Sequence, residues 1–193
     1  NRHIFRNSTI LRTGPVKIVD KARSGASLAR PSRGEAEQAV ETLLLWAGED
    51  PAREGLRETP ARFVRALEEH CSGYAQNPES ELSRSFEDID GYDDIVLVRD
   101  IGFSSHCEHH LHPITGVAHV AYWPDRRIVG ISKLARVVEI YAKRLVTQET
   151  LTKSILDVMD RVLQPKGVAV LIRAEHSCMT TRGILKPGSS TVT

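Results

Sequence analysis

Apolar and polar positions change period several times along this chain, and each change marks a new predicted element. Ser32 followed by Glu35 forms a capping-box pattern ahead of an apolar stripe through Val40, Leu43, Leu44 and Ala47, closed by Gly48. That stripe predicts a first helix. Thr59 and Pro60 then read as an N-cap and an N1 proline, with Phe63, Val64 and Leu67 at helical spacing as far as about Cys71. From Asp94 to Ile101 the run DIVLVRDI is rich in β-branched residues, and Ile114 to Trp123 alternates as its partner strand. Ser132 can cap a third helix, with Leu134, Val137, Val138, Tyr141 and Leu145 inward and Lys133 and Arg136 on another face. A fourth starts near Thr147 or Gln148 and turns Leu151, Ile155, Val158 and Val162 inward, the short joint before it predicting an antiparallel helix pair. Gly167 introduces VAVLIRA, a strand leading to His176 and Cys178, and a last strand is expected near Thr191 to Thr193.

Helices gathered on one face of an antiparallel sheet make this an α+β chain. Residues 1–30, interrupted by Gly14-Pro15 and Gly25, read as an arm, 31–90 as an N-terminal helical region, and 91–193 as the region that carries the chemistry.

A length of 193 residues fits one domain with a short arm. With 26 lysines and arginines against 25 aspartates and glutamates, no bulk positive charge draws the chain to nucleic acid or anionic lipid, so an anion site has to be local. No apolar run approaches the roughly 18 residues of a membrane span, and no secretory segment is recognisable. The odd count of three cysteines, two of them beside histidines, fits reduced thiols and a cytoplasmic setting.

Four of the eight histidines fall between His106 and His112. Cys107 and His110, three apart in CEHH, are spaced so that one tight turn aims both at one ion, and Cys178 is the natural third ligand at the end of its strand. Thiolate with imidazole favours zinc over magnesium or calcium. Three protein ligands leave one position open, as in catalytic rather than structural sites, although His109, His112 or His176 could close it. His109 should point differently from His110 and be free to transfer protons, while His176 should share the face of Cys178 by strand alternation. His3, His70 and His119 have no comparable company, and Cys71 reads as an apolar filler.

Lys133 and Arg136, one turn apart at a helix start, make a phosphate site plausible beside the plainer reading of a solvated basic face. Gln148 and Glu149 at the next helix start likewise read equally as capping residues.

Together these motifs resemble the GTP cyclohydrolase type I family. The resemblance rests on SSHCEHHLHPITGVAHVAY from Ser104, GISKLARVVEIYAKRL from Gly130, TQETLT from Thr147 and AEHSCMTTRG from Ala174, and extends over EDPAREGLRETPARF from Glu49. It implies the tunnelling fold (T-fold), assembly as a homodecamer with active sites between subunits, and zinc on Cys107, His110 and Cys178. It also implies His109 and His176 as the proton-transfer pair and Ser132 near the ribose ring oxygen. Glu149 with Gln148 would bind the guanine edge, and Lys133, Arg136 and Arg182 the triphosphate. The implied reaction is hydrolytic opening of the guanine imidazole ring of GTP, releasing formate and forming dihydroneopterin triphosphate, a pterin precursor. TQE stands where the family commonly has VQE, and relatives run on past the position of Thr193. A zinc-stabilised purine-nucleotide-binding or regulatory subunit without turnover is the alternative, marked by a metal site closed with four ligands. A related enzyme of neutral pterins or purines would have no use for three cations.

Overall fold

In the computed structural model, which describes residues 29–86 and 92–193, helix α1 runs Arg33–Trp46 directly after Ser32. The arm expected over residues 1–30 lies almost wholly outside the described residues. Gly48, at φ 90°, takes the left-handed conformation that ends α1, and the amides of Gly48 and Glu49 donate to the carbonyls of Leu45 and Leu44. The inward stripe is narrower than its spacing predicts. Only Val40 is buried, while Leu43 is 58% and Trp46 86% exposed, because α1 lies against helix α2 and little else of this chain.

Helix α2 spans Thr59–His70, and its N-cap is Glu58 rather than the expected Thr59. Proline lacks an amide hydrogen that the whole first turn leaves unused, so the helix can begin one residue further back. A 3-10 turn at Ser72–Ala75 follows, then the short helix α3 at Pro78–Leu82, capped by Asn77 Oδ1 accepting from the Glu79 amide at 3.0 Å. Gly73 sits so close to the end of a later helix that a Cβ there would collide with the Ile140 carbonyl. Its amide donates to Lys143 O and its own carbonyl accepts from Arg144 Nε, which ties this turn to residues 143 and 144.

Strands β2 (Val96–Cys107), β3 (Pro113–Trp123) and β6 (Gly167–His176) form the centre of a five-stranded sheet in the order β5-β2-β3-β6-β7. The β2–β3 pair runs from Val96↔Tyr122 to His106↔Pro113, with a bulge between Val98 and Ile101. Strand β7, Thr191–Val192, adds antiparallel to β6, as expected of the last strand. The edge strand β5, Leu145–Val146, departs from the antiparallel expectation. It pairs parallel to β2 at His106 and Cys107, because the joint between two helices is drawn out just where β2 ends. Two further short strands, β1 (Ser85–Phe86) and β4 (Ile128–Val129), pair separately.

Helix α4, Ile131–Ala142, follows β4 immediately, so its N-cap is Gly130 and Ser132 is its second residue instead of its cap. Helix α5, Gln148–Leu163, is capped by Thr147, whose hydroxyl accepts from the Thr150 amide. Both helices pack on the sheet, α4 against β2 and α5 against β6. Leu134, Val137 and Val138 of α4 and Leu151, Ile155 and Val158 of α5 meet Phe103, Ala118, Val120 and Ile172 in one core. Each such aliphatic side chain stabilises the fold by about 1.5 to 3 kcal/mol on burial. Residues of the opposite sheet face, including Leu97, Trp123 and Leu171, stay exposed in the single chain.

Candidate active site

The turn after β2 is closed at its base by Cys107 and His112. The Cys107 amide donates to His112 O at 2.9 Å and the Leu111 amide to Cys107 O at 2.8 Å, with Leu111 at φ 56° completing the reversal. This turn places Cys107 and His110 together, their Sγ and Nδ1 atoms 3.9 Å apart. Cys178 arrives from the other side of β3. Strand β6 ends at His176, and Cys178 stands on the single-turn helix α6, Ser177–Thr180. The expected strand-end placement of Cys178 is therefore corrected, and with it the period-two argument that put His176 on its face, because the chain bends into a helical turn between them.

Cys107, His110 and Cys178 bring one donor atom each to within 4.8 Å of one another. A tetrahedral zinc, with Zn–S about 2.3 Å and Zn–N about 2.0 Å, separates its donors by roughly 3.5 to 3.8 Å. The 3.9 Å between Cys107 and His110 is close to that spacing, and two sulfurs with one imidazole nitrogen are a donor set for a borderline-soft ion. Burial raises the Cys178 thiol above its ordinary pKa, and the neighbouring Cys107 sulfur raises it further. A cation among these donors would reverse that balance. The residues present fit zinc.

His109 lies beside this group. Its Nδ1 lies 3.7 Å from Cys107 Sγ, and its ring stands at 77° to that of His110. His112 stays outside the three-donor group and meets His110 edge-on, with ring centroids 6.5 Å apart. His106, the first histidine of the cluster, turns to α2 instead and stacks on His70 at 4.0 Å, so His70 has company that the sequence did not reveal.

His176 Nε2 lies 2.8 Å from Gln148 Oε1. Burial lowers the His176 pKa, and the charge of Glu149 works against that shift. Gln148 is 1% exposed, and its amide nitrogen meets Ile172 O, Thr191 O and Thr193 Oγ1, each at 3.1 Å. Glu149 next to it is exposed in the first turn of α5. Arg182, exposed beyond α6, is near enough to Cys178 to oppose the rise in its pKa. Ser132 is exposed, while Lys133 donates to Glu81 Oε2 at 2.7 Å and Arg136 lies 3.9 Å from the same oxygen. The structure thus brings together the three donors, with the charge of Arg182 within reach of Cys178, and joins His176 to Gln148. It also pairs Lys133 and Arg136 with a carboxylate that sequence reading missed.

The sequence model of the GTP cyclohydrolase I family matches residues 36–193. Proteins named GTP cyclohydrolase 1 from Brucella canis, Brucella suis biovar 1 and Brucella abortus strain S19 are each 60% identical to this chain over 164 residues, which cover 85% of it and 77% of the relative. A match over most of the length, with the four motifs inside it, settles descent. The chain belongs to the GTP cyclohydrolase I family.

Proposed function

We propose that this chain opens the imidazole ring of GTP hydrolytically at a zinc held by Cys107, His110 and Cys178, giving formate and dihydroneopterin triphosphate. The activity follows from the family and from relatives named GTP cyclohydrolase 1 at 60% identity, and the protein is an enzyme of this kind. The observation that carries the site is the convergence of Cys107 at the end of β2, His110 in the turn after it and Cys178 on α6. Zinc there supplies Lewis acidity and lowers the pKa of water in contact with it towards about 7.

The chain's own residues supply the rest. His109 and His176 move protons to and from the purine as its ring opens, beginning with N7. The Glu149 carboxylate accepts from the guanine N1–H and 2-amino group, donors that adenine does not present in that arrangement. Ser132 stands at the helix start where the ribose would lie, and Lys133, Arg136 and Arg182 hold the triphosphate. Gln148, expected with Glu149 at the guanine edge, enters this set instead as the neighbour that fixes His176, since its own polar atoms are engaged within the chain.

The exposure of His109, His110, Ser132, Glu149 and Arg182 favours a site completed by neighbouring copies, because a nucleotide site normally buries most of its ligand. The uncovered sheet face with Leu97 and Leu171 fits the same reading, a T-fold homodecamer in the cytoplasm. No described helix is long and apolar enough to cross a membrane. Residues 31–90 make the helical region of this assembly and 91–193 its catalytic region. A three-donor group among the described residues also fits an open catalytic site better than the closed site of a non-catalytic subunit. The test is to incubate pure protein with GTP and assay formate together with a fluorescent oxidised pterin. Both should appear, and the absence of both would end this reading.

A further inference from the structure

Lys133 Nζ donates to Glu81 Oε2 at 2.7 Å, and Arg136 Nη1 lies 3.9 Å from that same oxygen. The carboxylate comes from α3, 52 positions earlier in the chain. That short helix is firmly seated: Leu82 beside Glu81 is fully buried in the core, and Glu79 pairs with Arg161 of α5 at 2.6 Å. Glu81 is therefore held against the start of α4 by packing as well as by charge. The side chains of the Lys133–Glu81 pair are only 17% and 21% exposed, so water screens them less than an open surface pair. The hydrogen bond from Lys133, with the charges of Lys133, Arg136 and Arg84, holds the Glu81 carboxyl below its usual range, and it is ionised at neutral pH.

We infer that Glu81 tunes the affinity of the phosphate site, occupying the ammonium group of Lys133 until a polyphosphate takes its place. The inference rests on the reading of Lys133 and Arg136 as triphosphate ligands. A phosphate oxygen reaching Lys133 has to displace the carboxylate or sit beside it, and either way the contact yields less than it would at a free lysine. A triphosphate also gains Arg136 and Arg182 and so overcomes the competition. A ligand with one phosphate has fewer contacts to set against it, and guanosine, with none, is untouched. Glu81 thus raises KM for GTP above what the cations alone would set, and weakens any other phosphate that reaches Lys133.

The test uses the intact, metal-loaded protein, with KM and kcat for GTP and inhibition by GMP and guanosine as readouts. Glu81→Gln keeps the size of the side chain and removes its charge. It should lower KM for GTP about three- to tenfold, tighten GMP, and leave kcat and guanosine inhibition unchanged. Glu81→Ala should move KM in the same direction and serves if the glutamine variant folds poorly. In a Lys133→Met background the Glu81→Gln effect should shrink to less than about twofold, the remainder acting through Arg136. A KM that rises or stays constant in both Glu81 variants, an equal change for guanosine, or a full effect without Lys133 would each overturn the inference. If Lys133→Met alone leaves KM for GTP unchanged, the triphosphate reading of Lys133 fails first, and the role of Glu81 falls with it.

Discussion

Gln148 accepts a hydrogen bond from His176, with Oε1 and Nε2 2.8 Å apart, and the direction of that bond is fixed by the other end of the amide. Ile172 O and Thr191 O can only accept, so the Gln148 nitrogen has to face them and its oxygen has to face the imidazole. His176 therefore carries a proton on Nε2, which leaves Nδ1 as the nitrogen for the proposed proton transfer. Gln148→Ala would leave the His176 Nε2–H without its partner and strip a second donor from Ile172 O, which keeps only the Thr193 amide, and an unpaired buried group costs about 1 to 3 kcal/mol. The variant should lose stability in a thermal or urea melt, keep its metal, and turn over GTP with a lower kcat. Unchanged kcat in a folded, metal-loaded variant would show that the orientation of His176 is immaterial.

The metal assignment separates donors from neighbours. Purified protein should carry about one zinc per chain, and Cys107→Ser or Cys178→Ser should lose both metal and turnover. His109→Ala should retain zinc, since His109 lies beside the donor group without belonging to it, while ring opening slows by about a hundredfold or more, the scale of a lost general acid or base. Metal analysis paired with formate release decides the matter. Turnover by a zinc-free Cys178→Ser protein would refute the assignment.

Arg182 lies on the Cys178 side of the site and apart in sequence from Lys133 and Arg136, so its role can be isolated. Charge-assisted hydrogen bonds are each worth about 1.5 to 3 kcal/mol. Arg182→Ala should raise KM for GTP from about tenfold to more than a hundredfold, and should leave guanosine inhibition nearly constant. Lysine at 182 should rescue only in part, because it lacks a planar fork. Equal losses for GTP and guanosine would place Arg182 with the base or with the fold.

Far from the site, Asp93 accepts from Trp123 Nε1 and from Lys166 Nζ, and these donors hold its carboxyl below the ordinary range, Lys166 most strongly. A carboxyl whose pKa falls on folding contributes stability above its unfolded value, near about 4, and that contribution is lost as pH drops through the lower folded value. Urea midpoints of the parent and Asp93→Asn should therefore differ at pH 7 and converge towards pH 3. A gap of constant size would mean that shape rather than charge holds this corner.

The donors and the strands around them were legible because cysteine and histidine at metal spacing are rare and because period-two and period-3.6 patterns stand out. Partnerships across the fold were not. Glutamine at the first position of α5 reads as a capping residue, and only the return of Ile172 and Thr191 shows that its side chain is buried. Glu81 carries no distinguishing mark in the sequence, and only the packing of α3 against α4 gives it Lys133 as a partner. Cys178 was placed on a strand because VAVLIRA carries no mark of the turn that follows His176. Leu43 and Trp46 show the opposite limit: apolar spacing gave α1 its helix without telling how much of the stripe this chain alone would cover.

Leu111 holds a left-handed backbone at the foot of the ligand turn, a conformation that opposes an L side chain by about 1 to 2 kcal/mol. The amides of Cys107 and Leu111 close the loop around it, so the β2–β3 ladder bears that strain. Two of the three donors are consequently aligned before any ion arrives. Little conformational freedom remains for them to lose when one binds, and affinity gains by the entropy that a looser loop would have given up at that moment.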